Sequence, residues 1–186
     1  MNKQGKPTRQ AGFTLVELLI VAIILAILAA IVVPQFASTT TDATESALKA
    51  NLAGIRSAID LYRQQHGEYP ALSASTGGTC TGGAAGTGAA LNPLALQDQL
   101  TRYTDAAGQS CTLQLAGSFP FGPYLKEDLL PENPITNDAT VVIVNTGDLA
   151  MAGDGAGGGW KYDVLSGKFI ANDTDTDSQG DQYDTY

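Results

Sequence analysis

The chain begins with a short polar block and continues into a long apolar one. Residues 1–12 hold three basic side chains and no acidic one, whereas residues 13–33 are apolar except for Thr14 and Glu17. A helix rises by about 1.5 Å per residue, so a run of this length spans roughly the 30 Å hydrocarbon core of a bilayer. The pattern therefore predicts one membrane-spanning helix with the basic residues on its cytoplasmic side.

Glu17 distinguishes this segment from a plain membrane anchor. A carboxylate inside a membrane segment costs about 2.5–3.5 kcal/mol, so we expect a functional reason for keeping it. A secretory signal peptide fits poorly, because its apolar region spans only about 7–15 residues. Two other interpretations stay open, namely a plain anchor and a Glu17 side chain that only reaches the lipid headgroups.

A second helical pattern follows the membrane segment. Pro34 removes one helical hydrogen bond, which predicts a bend near residues 30–34. Beyond it, apolar residues recur at spacings of three and four and form one face of a helix that packs on its own domain. Gly67 and Pro70 predict that this helix ends near His66, which we expect to cap the helix end. The apolar face consists of Leu48, Leu52, Ile55, Ile59 and Tyr62.

Strand patterns are confined to the second half of the chain. Their runs alternate in polarity or are rich in β-branched residues, and a Ser-Gly turn before the last run predicts a hairpin. We therefore expect an α+β fold in which the long helix lies on an antiparallel sheet of three to five strands. The predicted strands are Thr112–Ala116, Thr140–Asn145, Trp160–Val164 and Lys168–Ala171.

A glycine-rich, uncharged stretch precedes these strands. Residues 73–90 contain Cys80, and Cys111 follows 31 positions later. An extracytoplasmic head would favour a disulfide between the two, worth about 3–4 kcal/mol on the chain-entropy model. Two separate buried thiols are the alternative.

The charge balance and the scarcity of His and Cys exclude several functions. Ten Lys and Arg stand against 19 Asp and Glu, which gives a formal net charge of -9. Nucleic-acid binding is not expected, because phosphate contacts need clustered basic residues. One His and two Cys leave little for a zinc site or a His-based catalytic centre, and no catalytic constellation is recognisable.

The acidic end of the chain allows two interpretations. Its carboxylates alternate in a way that resembles the oxygen ligands of a calcium loop, although the glycine is displaced and no bidentate Glu follows. A solvated, disordered tail is the other interpretation. The residues concerned are Asp173, Asp175, Asp177, Asp181 and Asp184.

The residues from Gly12 to Glu17, followed by the unbroken apolar run, resemble the N-terminus of the type IV pilin and type II secretion pseudopilin superfamily. The resemblance implies that a prepilin peptidase cuts between Gly12 and Phe13 and methylates the new Phe13 amine. It also implies a pilin fold and, in the filament, a locally melted helix at Pro34. Major pseudopilins carry calcium near the chain end, which favours the calcium interpretation of the tail.

The resemblance suggests a division into five segments. These are a cytoplasmic leader (1–12), an apolar filament-core helix (13–35), an amphipathic helix (36–66), a head (67–171) and an acidic tail (172–186).

The physics of Glu17 fits a role in assembly. Cleavage exposes an ammonium group one helical turn before the carboxylate, and in a bundle the Glu17 of one copy could meet the ammonium of its neighbour. Opposite charges in a low-dielectric bundle attract strongly, so this pair would set the register between copies.

The expected function is a structural filament subunit, most specifically a pseudopilin of a type II secretion system. A true type IV pilin of a surface pilus and a membrane-anchored extracytoplasmic binding protein are the alternatives, and an enzyme is not expected. The implied partners are further copies of the chain, prepilin peptidase, an inner-membrane assembly platform with its ATPase, and lipid. The implied location is the bacterial inner membrane, and later a periplasmic or cell-surface filament.

Overall fold

The computed structural model describes residues 12–186, without the side chains of residues 33–38. Most of the predicted leader therefore lies outside the described residues. The chain divides between Asp42 and Ala43 into two compact units. Helix α1 runs from Leu15 to His66 and contributes to both. Because α1 continues across Pro34, the proline does not end the helix, and the bend near residues 30–34 stays a prediction.

The predicted apolar face of α1 is the centre of the head. Each of its five residues is at most 1 % exposed, which confirms the spacing argument. They share one core with Trp160, Tyr162 and Phe169 of the sheet. The helix ends as predicted, because Gly67 takes a φ of 79° and its N–H bonds to the Arg63 carbonyl at 2.8 Å.

A second helix, α2 (Pro93–Thr101), was not predicted. Asn92 caps it by accepting a hydrogen bond from the Leu94 N–H at 2.9 Å, and Pro93 occupies its first turn, where a missing N–H costs nothing. Leu96 and Leu100 are fully buried in the core of the head. The Asn-Pro start was a readable signal, but the helix has only 9 residues and a weak apolar period.

Residues 43–186 contain two small sheets. Strands β1 (Tyr103–Thr104) and β2 (Ser110–Cys111) form an antiparallel pair. The predicted strand Thr112–Ala116 is wrong, because the extended segment ends at Cys111. The residues with this alternating pattern form bends and turns instead of a strand. The Leu113 N–H bonds to the Cys111 sulfur instead of to a neighbouring strand.

The main sheet has three strands in the order β3 (Val141–Val144), β4 (Trp160–Asp163) and β5 (Phe169–Ala171). These positions confirm three of the four predicted strands, and β4 and β5 form the predicted antiparallel hairpin. The purely antiparallel sheet is wrong, since β3 and β4 are parallel. Residues 145–159 supply a connection long enough for the crossover that parallel strands require.

A buried carboxylate and a disulfide order the glycine-rich stretch. Asp98 of α2 is 3 % exposed, and its Oδ2 accepts hydrogen bonds from the Ser75 hydroxyl (2.7 Å) and the Thr87 N–H (2.8 Å). Its Oδ1 pairs with Arg102 at 3.1 Å. Cys80 and Cys111 form the predicted disulfide, with their Cα atoms 5.4 Å apart. The alternative of two separate thiols is therefore wrong.

Removing the disulfide is expected to destabilise the head. Replacing both Cys80 and Cys111 with Ser should lower the free energy of unfolding by about 3 kcal/mol, because the closed loop restricts the unfolded chain. Urea unfolding of the full chain in detergent, followed through the fluorescence of its single Trp, measures the loss. A double variant as stable as the wild type would show that hydrogen bonds, and not the disulfide, hold the glycine-rich stretch in place.

Asp163, at the end of β4, holds the hairpin turn and the preceding crossover together. Its Oδ1 accepts from the Leu165 N–H (2.9 Å), and its Oδ2 accepts from the Thr146 hydroxyl (2.8 Å) and the Asp148 N–H (3.0 Å). Burial alone would raise the pKa of Asp163, but these hydrogen bonds outweigh burial and lower the pKa below its ordinary value. The ionised carboxylate therefore stabilises the fold.

This depressed pKa predicts a pH-dependent loss of stability. The Asp163 contribution is complete above the ordinary Asp pKa of about 3.9 and disappears as the pH falls through the lower folded value. Asp163→Asn should therefore cost about 1.5 kcal/mol at neutral pH, and clearly less near pH 3. Urea midpoints at both pH values test this, with the exposed Asp60→Asn as control. A cost that does not change with pH would contradict the prediction.

The acidic tail is folded against the head, not disordered. Tyr183 is 7 % exposed and begins a short 3₁₀ turn, Tyr183–Thr185. Asp177 accepts hydrogen bonds from the Gln179 and Asp181 N–H groups and from the Tyr186 hydroxyl. The Ser178 N–H reaches Glu45 of α1 at 3.2 Å. The disordered tail was therefore a wrong expectation, because its two tyrosines anchor it.

Candidate assembly site at the start of the long helix

The chain is non-helical and accessible immediately before α1. Gly12, Phe13 and Thr14 are not helical, and Phe13 is 81 % exposed. A Cβ placed on Gly12 would meet no other atom within 4 Å. The fold of this chain therefore gives no steric reason for glycine at this position. An exposed backbone outside a helix leaves its peptide bonds accessible to a partner enzyme.

Thr14 and Glu17 form a reciprocal capping box. The Glu17 N–H bonds to the Thr14 hydroxyl oxygen (3.2 Å), and the Thr14 N–H bonds to Glu17 Oε2 (2.8 Å). The Thr14 hydroxyl also donates to Oε2 at 2.8 Å. Two N–H groups that a helix start leaves without partners are thereby satisfied. The Thr-x-x-Glu spacing is the sequence signal of such a box, whereas the charge of Glu17 alone had suggested only a role in assembly.

Only one of the two carboxylate oxygens is used in the box. Both donors from Thr14 converge on Oε2, while Oε1 accepts no hydrogen bond within the part of the chain that is described. Glu17 itself is exposed at the helix surface. The side chain can therefore cap its own helix and offer a second acceptor to another group.

The first half of α1 exposes apolar side chains on every side. Leu15–Val32 is long and apolar enough to cross a membrane, and none of it is buried within the chain. Its leucine, isoleucine and valine side chains are about half exposed or more, apart from Val32 at 41 %. A helix that is apolar all round needs lipid or other helices as its surroundings. The capping box of Thr14 and Glu17 is therefore followed directly by an apolar helix surface that needs lipid or other helices around it.

The other predicted site residues lie elsewhere. Pro34 is part of α1, but its side chain is not among those described. Cys80 and Cys111 lie in the head. His66 caps the end of α1 as predicted, with Nδ1 at 3.1 Å from the Tyr62 carbonyl, and its ring also stacks on the Tyr62 ring.

The five tail carboxylates do not converge on one point. Asp173 and Asp177 bond to N–H groups of their own turns, and Asp184 accepts from the Gly153 N–H at 2.7 Å. Asp175 and Asp181 are exposed. Over residues 12–186, no group of three or more His, Cys, Asp or Glu side chains could hold a metal ion. The arrangement does not fit a preformed calcium site, and calcium at these residues stays a prediction.

Comparison with known proteins identifies the N-terminal segment. Residues 7–33 match the model of the prokaryotic N-terminal methylation motif. The chain is 42 % identical over 62 residues to type II secretion system core protein G of Pseudomonas aeruginosa, covering 33 % of this chain and 44 % of that protein. It is 41 % identical over 70 residues to a fimbrial protein of Neisseria meningitidis serogroup A, covering 38 % of this chain and 41 % of that protein.

These similarities are partial. The chain spans less than half the length of the curated relatives it matches. No solved structure matches it significantly. The α+β fold, with its long N-terminal apolar helix and small sheets, is consistent with the pilin fold. In its methylation motif and the helix that follows, the chain is similar to type IV pilins and type II secretion pseudopilins.

Proposed function

We propose that this chain is a structural subunit of a type IV pilus-like filament, and specifically a pseudopilin of a type II secretion system. It is stored in the bacterial inner membrane with its N-terminus in the cytoplasm. Prepilin peptidase cuts between Gly12 and Phe13 and methylates the Phe13 amine. An inner-membrane platform and its ATPase then assemble the subunits through α1 into a filament. The observation that carries the proposal is the capping box, with its free carboxylate oxygen, directly before an uncovered apolar helix.

The chemistry of the helix start supports this assembly. After cleavage, the Phe13 ammonium lies one helical turn from Glu17, and the helix dipole favours the carboxylate at this end. In a bundle of such helices, Glu17 Oε1 of one copy accepts a hydrogen bond from the Phe13 ammonium of its neighbour. The apolar faces alone would allow axial slip, so this polar pair fixes the register.

A surface pilus is the second candidate function, and the similarity to a fimbrial protein favours it. The same helix serves both kinds of filament, so the N-terminal segment does not separate them. Deleting the gene separates the two, because a secretion pseudopilin is needed for export of periplasmic proteins and a pilin is needed for surface fibres. An unaffected secretome together with a loss of fibres would select the pilin.

Mass spectrometry of the membrane-extracted protein tests the proposal directly. The expected N-terminal peptide begins at Phe13 and carries one methyl group. A plain anchored binding protein would instead keep its first twelve residues without methylation. Retention of those residues in the native host would overturn the proposal.

Replacing Gly12 with Val is expected to block cleavage without unfolding the chain. A Cβ at this position meets no atom of the chain, so stability should not change. A peptidase that binds the backbone closely would reject the branched side chain. The measurement is the mass of the extracted protein, with head stability by urea unfolding as control. Normal processing of Gly12→Val would contradict the prediction.

A further inference from the structure

The head presents an apolar groove beside α1. Its floor and one wall are formed by the exposed positions Ala50 and Gly54 of the helix, and its other wall by Leu125, Leu129 and Pro131. The groove has a volume of about 230 Å³. An apolar cavity of about 150 Å³ already holds benzene, so the groove has room for one aliphatic side chain. Leu129 is 65 % exposed at its rim.

The groove is preformed. The Asn51 amide on α1 donates to the Glu132 carbonyl at 3.2 Å, and the Gln97 amide on α2 donates to the Asp128 carbonyl at 3.2 Å. The Trp160 indole N–H donates to the Pro131 carbonyl at 2.9 Å. Three separate elements thus hold the outer wall in place. A partner would therefore bind without the entropic cost of ordering the groove.

Lys126 lines the groove together with the adjacent Glu127, and among residues 43–186 it is the Lys or Arg left available to a partner. Residues 43–186 carry 7 basic against 17 acidic side chains. Lys126 makes no hydrogen bond or ion pair within the described chain, whereas the other six Lys and Arg side chains of residues 43–186 are engaged internally. These six are Lys49, Arg56, Arg63, Arg102, Lys161 and Lys168.

The crossover between β3 and β4 presents a protruding apolar side chain instead of a groove. Leu149 is 78 % exposed, more than any other large apolar side chain described in the head. Its backbone is nevertheless fixed, because the Lys168 ammonium donates to the carbonyls of Leu149 (3.0 Å) and Met151 (2.8 Å). Asp148, the preceding residue, is exposed and acidic. The head thus holds out a leucine, flanked by a negative charge, on a rigid loop.

The groove and this leucine lie on opposite flanks of α1. Gly54 lines the groove, whereas Arg56 shares a cleft with Ala150 and Met151 of the leucine loop. Positions two residues apart on a helix point about 200° apart around its axis. Two different, complementary patches on opposite sides of one domain make a head-to-tail contact, which leads to open helical assemblies when it does not close into a ring.

We propose that Leu149 of one copy inserts into the groove of the next copy, with its Asp148 against Lys126. The proposal rests on the proposed filament function and names the contact between heads that accompanies the packing of α1. The occupant is a second copy because the same chain carries both complementary surfaces. Its apolar groove lies beside Lys126, and its exposed Leu149 lies beside the carboxylate of Asp148. A rigid loop and a preformed groove keep the entropic cost of docking low.

Charge reversal in the full chain, expressed in its host, tests the contact. Lys126→Glu should lower the yield of sheared filaments about tenfold, because like charges then face each other across the interface. Asp148→Lys should do the same, and the double variant should return to within about twofold of wild type. Gly54→Leu, which fills the groove, should also reduce assembly while leaving the head at least as stable, since Gly is a poor helix former.

Cross-linking locates the contact. Copies carrying Ala50→Cys and copies carrying Leu149→Cys are co-expressed and treated with a short bis-maleimide, which does not react with the oxidised native pair. A mixed dimer is expected. The control partner is Gln64→Cys, exposed on the same helix about 20 Å further along, which should give none. A product that joins either variant to a different protein would overturn the assignment of a second copy.

The outcomes separate the two proposals. If wild-type chains are cleaved and methylated and form filaments, but the reversed variants assemble normally or no mixed dimer forms, the head contact is refuted and the filament function stands. If wild-type chains are not cleaved or form no filaments, the filament function is refuted and the head contact falls with it. Reversed variants that assemble poorly and are not rescued by the double variant also refute the pairing of Lys126 with Asp148.

Discussion

Glu17→Gln is expected to abolish filament assembly while leaving the start of α1 intact. Gln, like Glu, closes a capping box, so its amide oxygen still accepts the Thr14 N–H. What disappears is the negative charge that would meet the neighbour's ammonium in a medium where such pairs interact strongly. We expect normal insertion and cleavage, and a yield of sheared filaments at least about a hundredfold below wild type, on the scale of a broken buried ion pair.

Two further variants separate the charge from the cap. Thr14→Ala removes the hydroxyl partner and should cost about 1 kcal/mol of helix stability, with filaments still formed. Glu17→Leu removes both cap and charge and should fail as completely as Glu17→Gln. Electron microscopy of sheared cells, in competition with the wild-type chain, measures the yield. Normal filaments from Glu17→Gln would show that Glu17 only caps its helix, and the register hypothesis would be lost.

Trp160→Ala is expected to cost the head about 3–5 kcal/mol, because it removes the largest fully buried side chain of the core and leaves a cavity. Trp160 packs on Phe169, with ring centroids 5.4 Å apart. Its indole N–H also satisfies the Pro131 carbonyl at 2.9 Å, which loses this bond in the variant. Urea unfolding followed by the near-ultraviolet circular dichroism of the tyrosines measures the loss, since the variant has no tryptophan left.

Trp160→Phe is the control that helps to separate the contribution of core packing from that of the indole hydrogen bond. It keeps an aromatic ring in the core but loses the N–H and part of the indole volume, so its cost should be smaller than that of Trp160→Ala. Because the Pro131 carbonyl belongs to the wall of the apolar groove, Trp160→Phe should also loosen that wall. A change below about 1 kcal/mol for Trp160→Ala would contradict the central place of this residue in the core.

The long helix could be predicted from the sequence because its signals are strong and local. A continuous apolar run, the stripe from Leu48 to Tyr62 and a terminal Gly67 each specify helix by a short-range rule. The parallel pairing of β3 and β4 could not be predicted, because it depends on how residues 145–159 cross over. Thr112–Ala116 shows the opposite error, since its alternating pattern has no neighbouring strand to pair with.

The assembly site was predictable in position and incomplete in chemistry. Glu17 stands out as a charge inside an apolar run, whereas Gly12 and Phe13 follow only from the resemblance to pilins, and the role of all three in assembly stays a prediction. The part of Thr14 was missed, although the spacing of a capping box was visible. Asp98 and Asp163 show a deeper limit, because their partners lie at positions such as Ser75 and Thr146, far away in sequence. No local pattern indicates which acidic residue of an acidic chain will be buried.

The two hydrogen bonds from Thr14 to a single oxygen of Glu17 bear on how growth of a fibre proceeds. A subunit leaving the bilayer would not have to unwind the first turn of α1 before it contacts the neighbouring subunit. It would also keep both hydrogen bonds between Thr14 and Glu17. In the proposed filament, the Glu17 side chain would then keep the same rotamer as in the single subunit. Any change on passing from the bilayer into the fibre would then lie beyond this first turn, in α1 and in what covers its apolar surface.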